Sequence, residues 1–357
     1  MTDGGNDVTD VPLGKHVLEV RIAEVIDETA DSRSLVFEIP EEAADKFAYT
    51  PGQYLTLRIP SDRTGSVARC YSLSSSPHID DRLTVTVKRT ADGYGSNWIC
   101  DNAHAGMHMH VLAPSGVFVP RDLSRDLLLV AGGSGITPMM AICKSALSQG
   151  SGKVVLIYAN RDEQSVIFGA ALRALAAEYA DRLTVIHWLE SVQGLPSQQQ
   201  LATLAAPFAD HEAFICGPGP FMDASEAALK GNGMTDDRVH IEVFRSLESD
   251  PFAEVVLAEP SDDDEPPATA TVELDGETHE VSWPRSTVLL DVLLAKGLDA
   301  PFSCREGHCM TCACILKDGK VRMLVNDALS QNDIDDGYIL ACQAVPETDE
   351  VNVTFDE

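Results

Sequence analysis

Residues 303–314 read SCREGHCMTCAC, and three of their cysteines, Cys304, Cys309 and Cys312, stand in C-x4-C-x2-C spacing, with Cys342 farther along the chain. This is the plant-type 2Fe-2S pattern. Two irons bridged by sulfide need four soft thiolates converging on one pocket, three from a tight loop and the fourth from a later strand or turn. Structural zinc usually draws on two separated cysteine pairs, whereas only one CxxC pair, Cys309 with Cys312, is present here. Such a centre moves one electron at a time. The remaining chain should therefore show where electrons arrive and leave.

The segments around this loop predict a small α+β domain over 269–357. TATVELDGETHEVSW (269–283) reads as a hairpin, with Asp275–Gly276 between alternating strands. STVLLDVLLAKG (286–297) reads as a helix capped by Ser286 and stopped by Gly297. CACILKDGKVRML (312–324) suggests a turned strand pair around Asp318–Gly319, and VNVTFDE (351–357) an edge-like strand. Upstream, 248–268 is acidic and holds four prolines, which predicts an exposed linker, with Asp262–Glu265 as a possible docking run.

Before that linker the texture is doubly wound α/β over 125–247. DLLLVAGGSGITPMM (126–140) is an apolar strand entering a Gly-rich turn, with a helix expected to begin near Thr137 or Pro138, where free N–H groups can meet phosphate. KVVLIYANR (153–161), LTVIHWLE (183–190) and EAFICGPGPFM (212–222) then alternate with helical stretches, so a parallel sheet is expected. The turn is not the GxGxxG type. Arg161 or Ser165 suits a 2′-phosphate, which Asp162 opposes. Glu242 and Phe244 fall in the last strand, RVHIEVF (238–244).

Residues 15–118 carry many short strands, punctuated by Pro, Gly and Asp, and one short helical stretch, SNWICDNA (96–103). That predicts a small antiparallel barrel. In RCYSLS (69–74), strand alternation places Arg69 and Tyr71 on one face and Ser72 and Ser74 on the other, unless the strand ends or bulges there. The arginine can clamp a pyrophosphate and the tyrosine can stack on an aromatic ring system. Gly93, Gly95 and Ser96 suit an anion-binding turn. Cys70 and Cys100 have no partner pattern and read as packing residues.

Composition bounds the rest. The 357 residues allow two or three domains. Net charge is −30, from 56 acids against 26 bases, so nucleic acid is not an expected partner. The excess is read as a soluble repelling surface, a face for a basic redox partner, or salt adaptation. No apolar run is long enough to span a bilayer, so stable membrane insertion is not expected. Residues 1–14 read as a flexible start that is neither signal nor transit peptide. Nine cysteines in a cluster pattern fit a reducing cytoplasm.

The order of these segments resembles the reductase components of multicomponent oxygenases. These are ferredoxin–NADP reductase-like proteins with a C-terminal plant-type ferredoxin (β-grasp) domain. Likeness is strongest to reductases of 3-ketosteroid 9α-hydroxylase systems, with those of phenylacetyl-CoA oxygenases also near. The resemblance implies an antiparallel flavin-binding barrel holding FAD, favoured over FMN. Arg69, Tyr71, Ser72 and Ser74 would be at the flavin, with Val87, Lys88, Gly95 and Ser96 completing its phosphate site. It implies that Gly132, Gly133, Gly135, Thr137 and Pro138 form the pyrophosphate turn and that Cys216, Gly217 and Pro218 lie beside the nicotinamide. Glu242 would stand near the flavin, and Arg161 at the nucleotide, with NADH preferred to NADPH. "Catalytic" then means positioning two rings, by Tyr71, Ser72, Cys216 and Glu242. It also makes Cys314 a packed residue rather than the fourth ligand. The implied acceptor is a terminal oxygenase, an iron-dependent steroid or aromatic hydroxylase. A free-standing reductase of soluble carriers or quinones, and a carrier module without turnover, are the competing readings. One departure stands out: relatives usually place glycine directly after the second cysteine, where this chain has Met310. Either the backbone there suits a side chain, or the loop is strained.

Overall fold

The computed structural model describes residues 12–257 and 265–356. Six strands come first: β1 (Leu18–Thr29), β2 (Ser32–Glu38), β3 (Tyr54–Ser61), β4 (Gly65–Ser72), β5 (Thr84–Lys88) and β6 (His108–Val111). They pair antiparallel in the order β4-β3-β6-β1-β2-β5, and a bridge between Leu73 and Val85 brings the two ends together as a barrel. Period-two alternation drives each strand inward: Leu55, Leu57 and Ile59 of β3 are fully buried in one core with Val20, Leu35 and Val85. Helix α1 (Tyr94–Asn102) plugs this core with Ile99 and Cys100.

The second unit is a parallel sheet of β7 (Leu127–Gly132), β8 (Val154–Asn160), β9 (Leu183–Leu189), β10 (Glu212–Cys216) and β11 (Val239–Glu242), in the order β11-β10-β7-β8-β9. The run of β7 is apolar throughout because both its faces are covered. Leu127, Leu129 and Ala131 pack with α2 (Ile136–Gln149) and α3 (Gly169–Glu178). On the other side Leu128 and Val130 pack with α5 (Gln198–Ala205) and α6 (Gly219–Gly231), which follow the short α4 (Glu190–Gln193). Strand order reverses between β7 and β10, which opens a crevice at their carboxyl ends.

The third unit holds β12 (Ala268–Leu274), β13 (Glu277–Trp283), α7 (Leu289–Ala295), β14 (Ala313–Asp318), β15 (Val321–Met323), α8 (Gln331–Asp335), β16 (Tyr338–Leu340), β17 (Ala344–Pro346) and β18 (Glu350–Thr354). Its sheet runs β13-β12-β18-β14-β16, beside a β15-β17 pair. The Asp275–Gly276 hairpin forms with φ of 54° and 74°, as a primed turn demands.

Four expectations need correction. The last strand is not an edge: β18 lies between β12 and β14, and Val351 and Val353 are buried. Alternation identifies a strand's buried face but not its neighbours. Asp318–Gly319 does not close a hairpin, because β14 pairs with β16 and β18 while β15 pairs with β17. Ser286 does not cap α7, whose first residue follows Val288; Thr287 instead bonds back to Pro284 and to the Trp283 indole. The stretch after 247 is not an exposed tether at its start. Phe252 is fully buried beside Cys304 and Cys309, and its carbonyl accepts from Gly14 N–H at 2.9 Å, while Glu254 N–H donates to Pro12. Those contacts also tie down residues 12–14. Residues 1–11 and Asp262–Asp264 lie outside the described residues.

Candidate functional site

A cavity of about 670 Å³ opens where the barrel meets the crevice of the parallel sheet. The barrel side supplies Arg69, Tyr71, Ser72, Lys88, Gly95 and Ser96, and the sheet side supplies Gly132, Gly133, Thr137, Gly217 and Pro218. These eleven residues, with Gly93 beside Gly95, are all expected from sequence and share one wall system. Burial pushes the Tyr71 phenol well above its ordinary range, so its ring is a neutral stacking surface. Arg69 donates through Nη1 to the carbonyls of Ala68 (2.7 Å) and Leu247 (3.1 Å), which fixes the root of its guanidinium. Gly95 lets Arg69 sit there: a Cβ at 95 would lie 2.9 Å from Arg69 Cγ. Ser96 Oγ accepts from Thr90 N–H at 3.1 Å and holds the turn at the start of α1. Lys88 is desolvated, which lowers its pKa, while Asp31 at 4.0 Å pulls the other way.

On the sheet side a single 3-10 turn, Gly133–Gly135, leads into α2, which starts at Ile136, one residue earlier than expected. Gly133 has φ of 54°, a conformation that favours glycine. A Cβ on Gly132 would meet Pro218 and Phe221 at 2.9 Å, so the two turns need this glycine to approach.

Some candidates stand outside the cavity. Ser74 bonds Thr86 Oγ1 at 2.8 Å and braces β5, and Val87 points into the barrel core. Gly135, Pro138 and Cys216 are buried packing behind the turns, and burial holds the Cys216 thiol well above its ordinary pKa. Arg161, at the end of β8, pairs with Asp31 at 2.7 Å. Ser165 is buried in a capping box with Asp162, so of the two 2′-phosphate candidates only Arg161 projects outward. Cys70, expected only to pack, also lines the cavity, as do Thr86, Ser134, Arg245 and Ser246, which the sequence did not single out. Arg245 and Ser246 arrive because the chain leaving β11 bridges Ser246 to Arg69 on the open edge of β4. No local motif announces that crossing.

The four cysteines converge. Cys304 Sγ lies within hydrogen-bonding reach of Cys309 and Cys342, and Cys342 within reach of Cys312. Backbone N–H groups aim at these sulfurs: Glu306 and His308 at Cys304 (3.4 Å each), and Cys342 at Cys312 (3.5 Å). Gln343 Nε2 adds a longer contact to Cys342 at 3.7 Å. N–H donors aimed at thiolates are what a sulfur-ligated iron centre uses to hold its charge, so the donor set fits. Cys314 is buried in the domain core. Met310 has φ of 57°, and so the strained alternative holds: a side chain occupies a left-handed position.

A second cavity, about 220 Å³, joins the two regions and is lined by Tyr54, Cys70, Ser72, Glu242, Cys304 and Cys309 among others. Glu242 keeps partial exposure yet is crowded by protein on most sides. That crowding, with the charge of Cys309 second, raises its carboxyl pKa to about 7. Glu242 thus faces the cysteine loop and does not line the larger cavity, whereas Phe244, exposed beyond the end of β11, lines both. The seam is hydrogen-bonded. Thr56 Oγ1 of β3 lies 3.1 Å from Ser303 Oγ and 3.5 Å from Cys70 Sγ, all three side chains lying between the barrel and the cysteine loop. Glu306 accepts from the N–H groups of Glu248 and Ser249, and Arg245 pairs with Asp327 at 2.9 Å.

Three family models match in the same order: an oxidoreductase FAD-binding domain over 19–119, an oxidoreductase NAD-binding domain over 129–227, and a 2Fe-2S iron-sulfur cluster binding domain over 272–347. The chain is 69% identical over 353 residues to the 3-ketosteroid-9-alpha-monooxygenase ferredoxin reductase component of Mycolicibacterium smegmatis, covering 98% of this chain and all of the relative. It is 34% identical to one component of the 1,2-phenylacetyl-CoA epoxidase of Escherichia coli, covering 94% and 96% of the two chains. Phthalate dioxygenase reductase, a solved structure, superposes with a TM-score of 0.54 over 95% of this chain and 98% of its own, at 22% identity, and so shares the fold. Among the described residues no helix is long and apolar enough to cross a membrane.

Proposed function

Since the chain belongs to the family of 3-ketosteroid-9-alpha-monooxygenase ferredoxin reductase components, we propose that it takes electrons from NADH at the Gly132–Thr137 and Gly217–Pro218 turns and delivers them singly to a steroid-hydroxylating oxygenase. FAD and a 2Fe-2S cluster supply the change from a two-electron hydride to single electrons.

The residues position these groups rather than exchange protons with them. Tyr71 offers a flat uncharged face for the flavin ring, and Ser72 a hydroxyl at its edge. Arg69, with the Gly95–Ser96 turn, takes the flavin phosphates, and Lys88 adds a cation to the same wall. Ser74 and Val87 hold β4 and β5 in place behind that wall. The Gly133–Thr137 segment, where the chain enters α2, takes the nucleotide pyrophosphate. Pro138 and Gly135 let that helix start close against β10, and Cys216 packs the nicotinamide turn from behind. Cys304, Cys309, Cys312 and Cys342 hold the cluster, and Glu242 stands on the path from flavin to cluster.

The observation that carries this reading is the shared wall: Cys70 and Ser72 line both the large cavity and the smaller one that reaches Cys304 and Cys309. The test is air-free stopped flow with Cys309→Ala, following flavin and cluster absorption separately. Flavin reduction by NADH should persist while reduction of the protein acceptor is lost. A folded, FAD-loaded variant whose flavin no longer reacts with NADH would contradict the proposed order.

A further inference from the structure

The structure assigns Asp31, a residue of the flavin barrel, as the group that excludes a 2′-phosphate from the nucleotide site. The inference rests on the nucleotide lying at the Gly132–Thr137 turn. With the nicotinamide end over β10 and the pyrophosphate over β7, the strand order β10-β7-β8-β9 sends the adenosine half toward the carboxyl ends of β8 and β9. Arg161 stands at the end of β8, its side chain 64% exposed, and its carbonyl accepts from Ser191 N–H beyond β9 at 2.8 Å. It is the cation that a 2′-phosphate would use there.

That cation is already engaged. Asp31 Oδ2, from the turn between β1 and β2, lies 2.7 Å from Arg161 Nη2 and 4.0 Å from Lys88 Nζ. Its other oxygen accepts from Thr29 Oγ1 at 2.9 Å, so the carboxylate is held in place rather than free to swing away. Asp162, next in sequence to Arg161, has its carboxylate committed to Ser165 N–H at 2.9 Å. Asp31 is thus the carboxylate that sits between the two cations of this mouth. A phosphate monoester arriving at Arg161 must displace Asp31 or share the guanidinium with it at close range. A 2′-hydroxyl meets no such repulsion. The specificity is written across a domain boundary, in a segment distant in sequence from the nucleotide turns.

The test is calorimetric binding of ADP-ribose and of ADP-ribose 2′-phosphate to the FAD- and cluster-loaded protein. Asp31→Asn keeps the shape and an acceptor for Thr29 but removes the charge. The affinity ratio, phosphorylated over unphosphorylated, should rise on the order of 10-fold, as expected for deleting one charge a few ångströms from a dianion at a partly screened surface. Adding Arg161→Ala should return the ratio to that of the unaltered protein. If Asp31→Asn leaves the ratio unchanged, shifts both ligands equally, or keeps its gain without Arg161, the assignment is wrong. Should Asp31→Asn not load FAD, Arg161→Ala alone decides: because Asp31 already occupies Arg161, the 2′-phosphate ligand should weaken less than about 3-fold relative to ADP-ribose, and a loss of about 10-fold overturns the assignment. Failure of ADP-ribose itself to bind the unaltered protein removes the nucleotide reading, and the assignment falls with it.

Discussion

Gly135→Ala tests how the two nucleotide turns are brought together. Gly135 has φ of −60° and ψ of −8°, which any residue adopts, so the demand for glycine is steric alone. A Cβ there would lie 2.1 Å from the carbonyl oxygen of Cys216 and 2.4 Å from its carbon, where ordinary contact begins at 3.4 Å. Both partners are backbone, so no side chain can rotate out of the way. The turns must part by about 1 Å, or β10 must shift from β7, with which it pairs from Glu212 to Cys216. Overpacking of this kind costs about 1–3 kcal/mol. A misplacement of that size at a hydride-transfer geometry costs roughly 100-fold in rate. The assay is NADH-driven flavin reduction in air-free stopped flow, with dithionite reduction of flavin and cluster as the check that barrel and ferredoxin domain are intact. Gly231→Ala serves as the matched control, since no atom lies within 4 Å of its added Cβ and it sits in the last turn of α6. If Gly135→Ala reduces flavin at more than half the normal rate with normal NADH affinity, close approach of the two turns is not what positions the nicotinamide.

Three further outcomes follow from the cysteine loop and its seam. Thr56→Val removes the buried bond to Ser303 and should cost about 1 kcal/mol, read as a lower midpoint for thermal bleaching of the cluster; the double variant with Ser303→Ala should recover part of that loss. At position 310, where φ is 57°, Met310→Gly should outlast Met310→Ala against cluster bleaching by about 1 kcal/mol, because both lose the side chain and only alanine keeps the left-handed strain. Equal stabilities would mean that the loop carries no such strain. Iron and sulfide content should be retained in Cys314→Ala and lost in Cys342→Ala; the reverse pattern would reassign the fourth ligand.

Local pattern made much of this architecture legible. The Asp275–Gly276 turn and the apolar run of β7 each depend on a few consecutive residues and formed as read, and the four spaced cysteines lie within reach of one another. What escaped depends on partners distant in sequence. The placing of β18 between β12 and β14 is set by strands that begin 82 and 37 residues earlier, numbering from Glu350, Ala268 and Ala313. Phe252 reads as part of a tether because its neighbours are acidic, yet the tertiary fold buries it in an apolar cluster with Cys304 and Cys309. Arg161 reads as a nucleotide ligand from its position after a strand. Its carboxylate partner sits 130 residues upstream, where no motif marks it.

The same contrast explains how one strand can serve two redox regions. Along β4, Val67 and Tyr71 pack with the barrel core, while Ala68 and Cys70 pack in a cluster with Cys304, Cys309 and Phe302. Successive side chains of a strand point to opposite faces. Tyr71 and Cys70 therefore look in opposite directions although they are adjacent in sequence. β4 is the outermost strand of its sheet, and such an edge would be open to unwanted pairing. Here the chain leaving the parallel sheet covers that edge, through the Ser246–Arg69 bridge and the bond from Arg69 to the Leu247 carbonyl. The crossing segment thus closes the edge, anchors the arginine of the large cavity and leads on to Phe252 beneath the cysteine loop. The Tyr71 side of β4 and its Cys70 side are thus separated by the thickness of a single strand, which backbone geometry sets rather than flexible side chains. A substitution that turned Cys70 inward would have to slip the register of β4 by one residue, and that slip would carry Tyr71 off the barrel core at the same time.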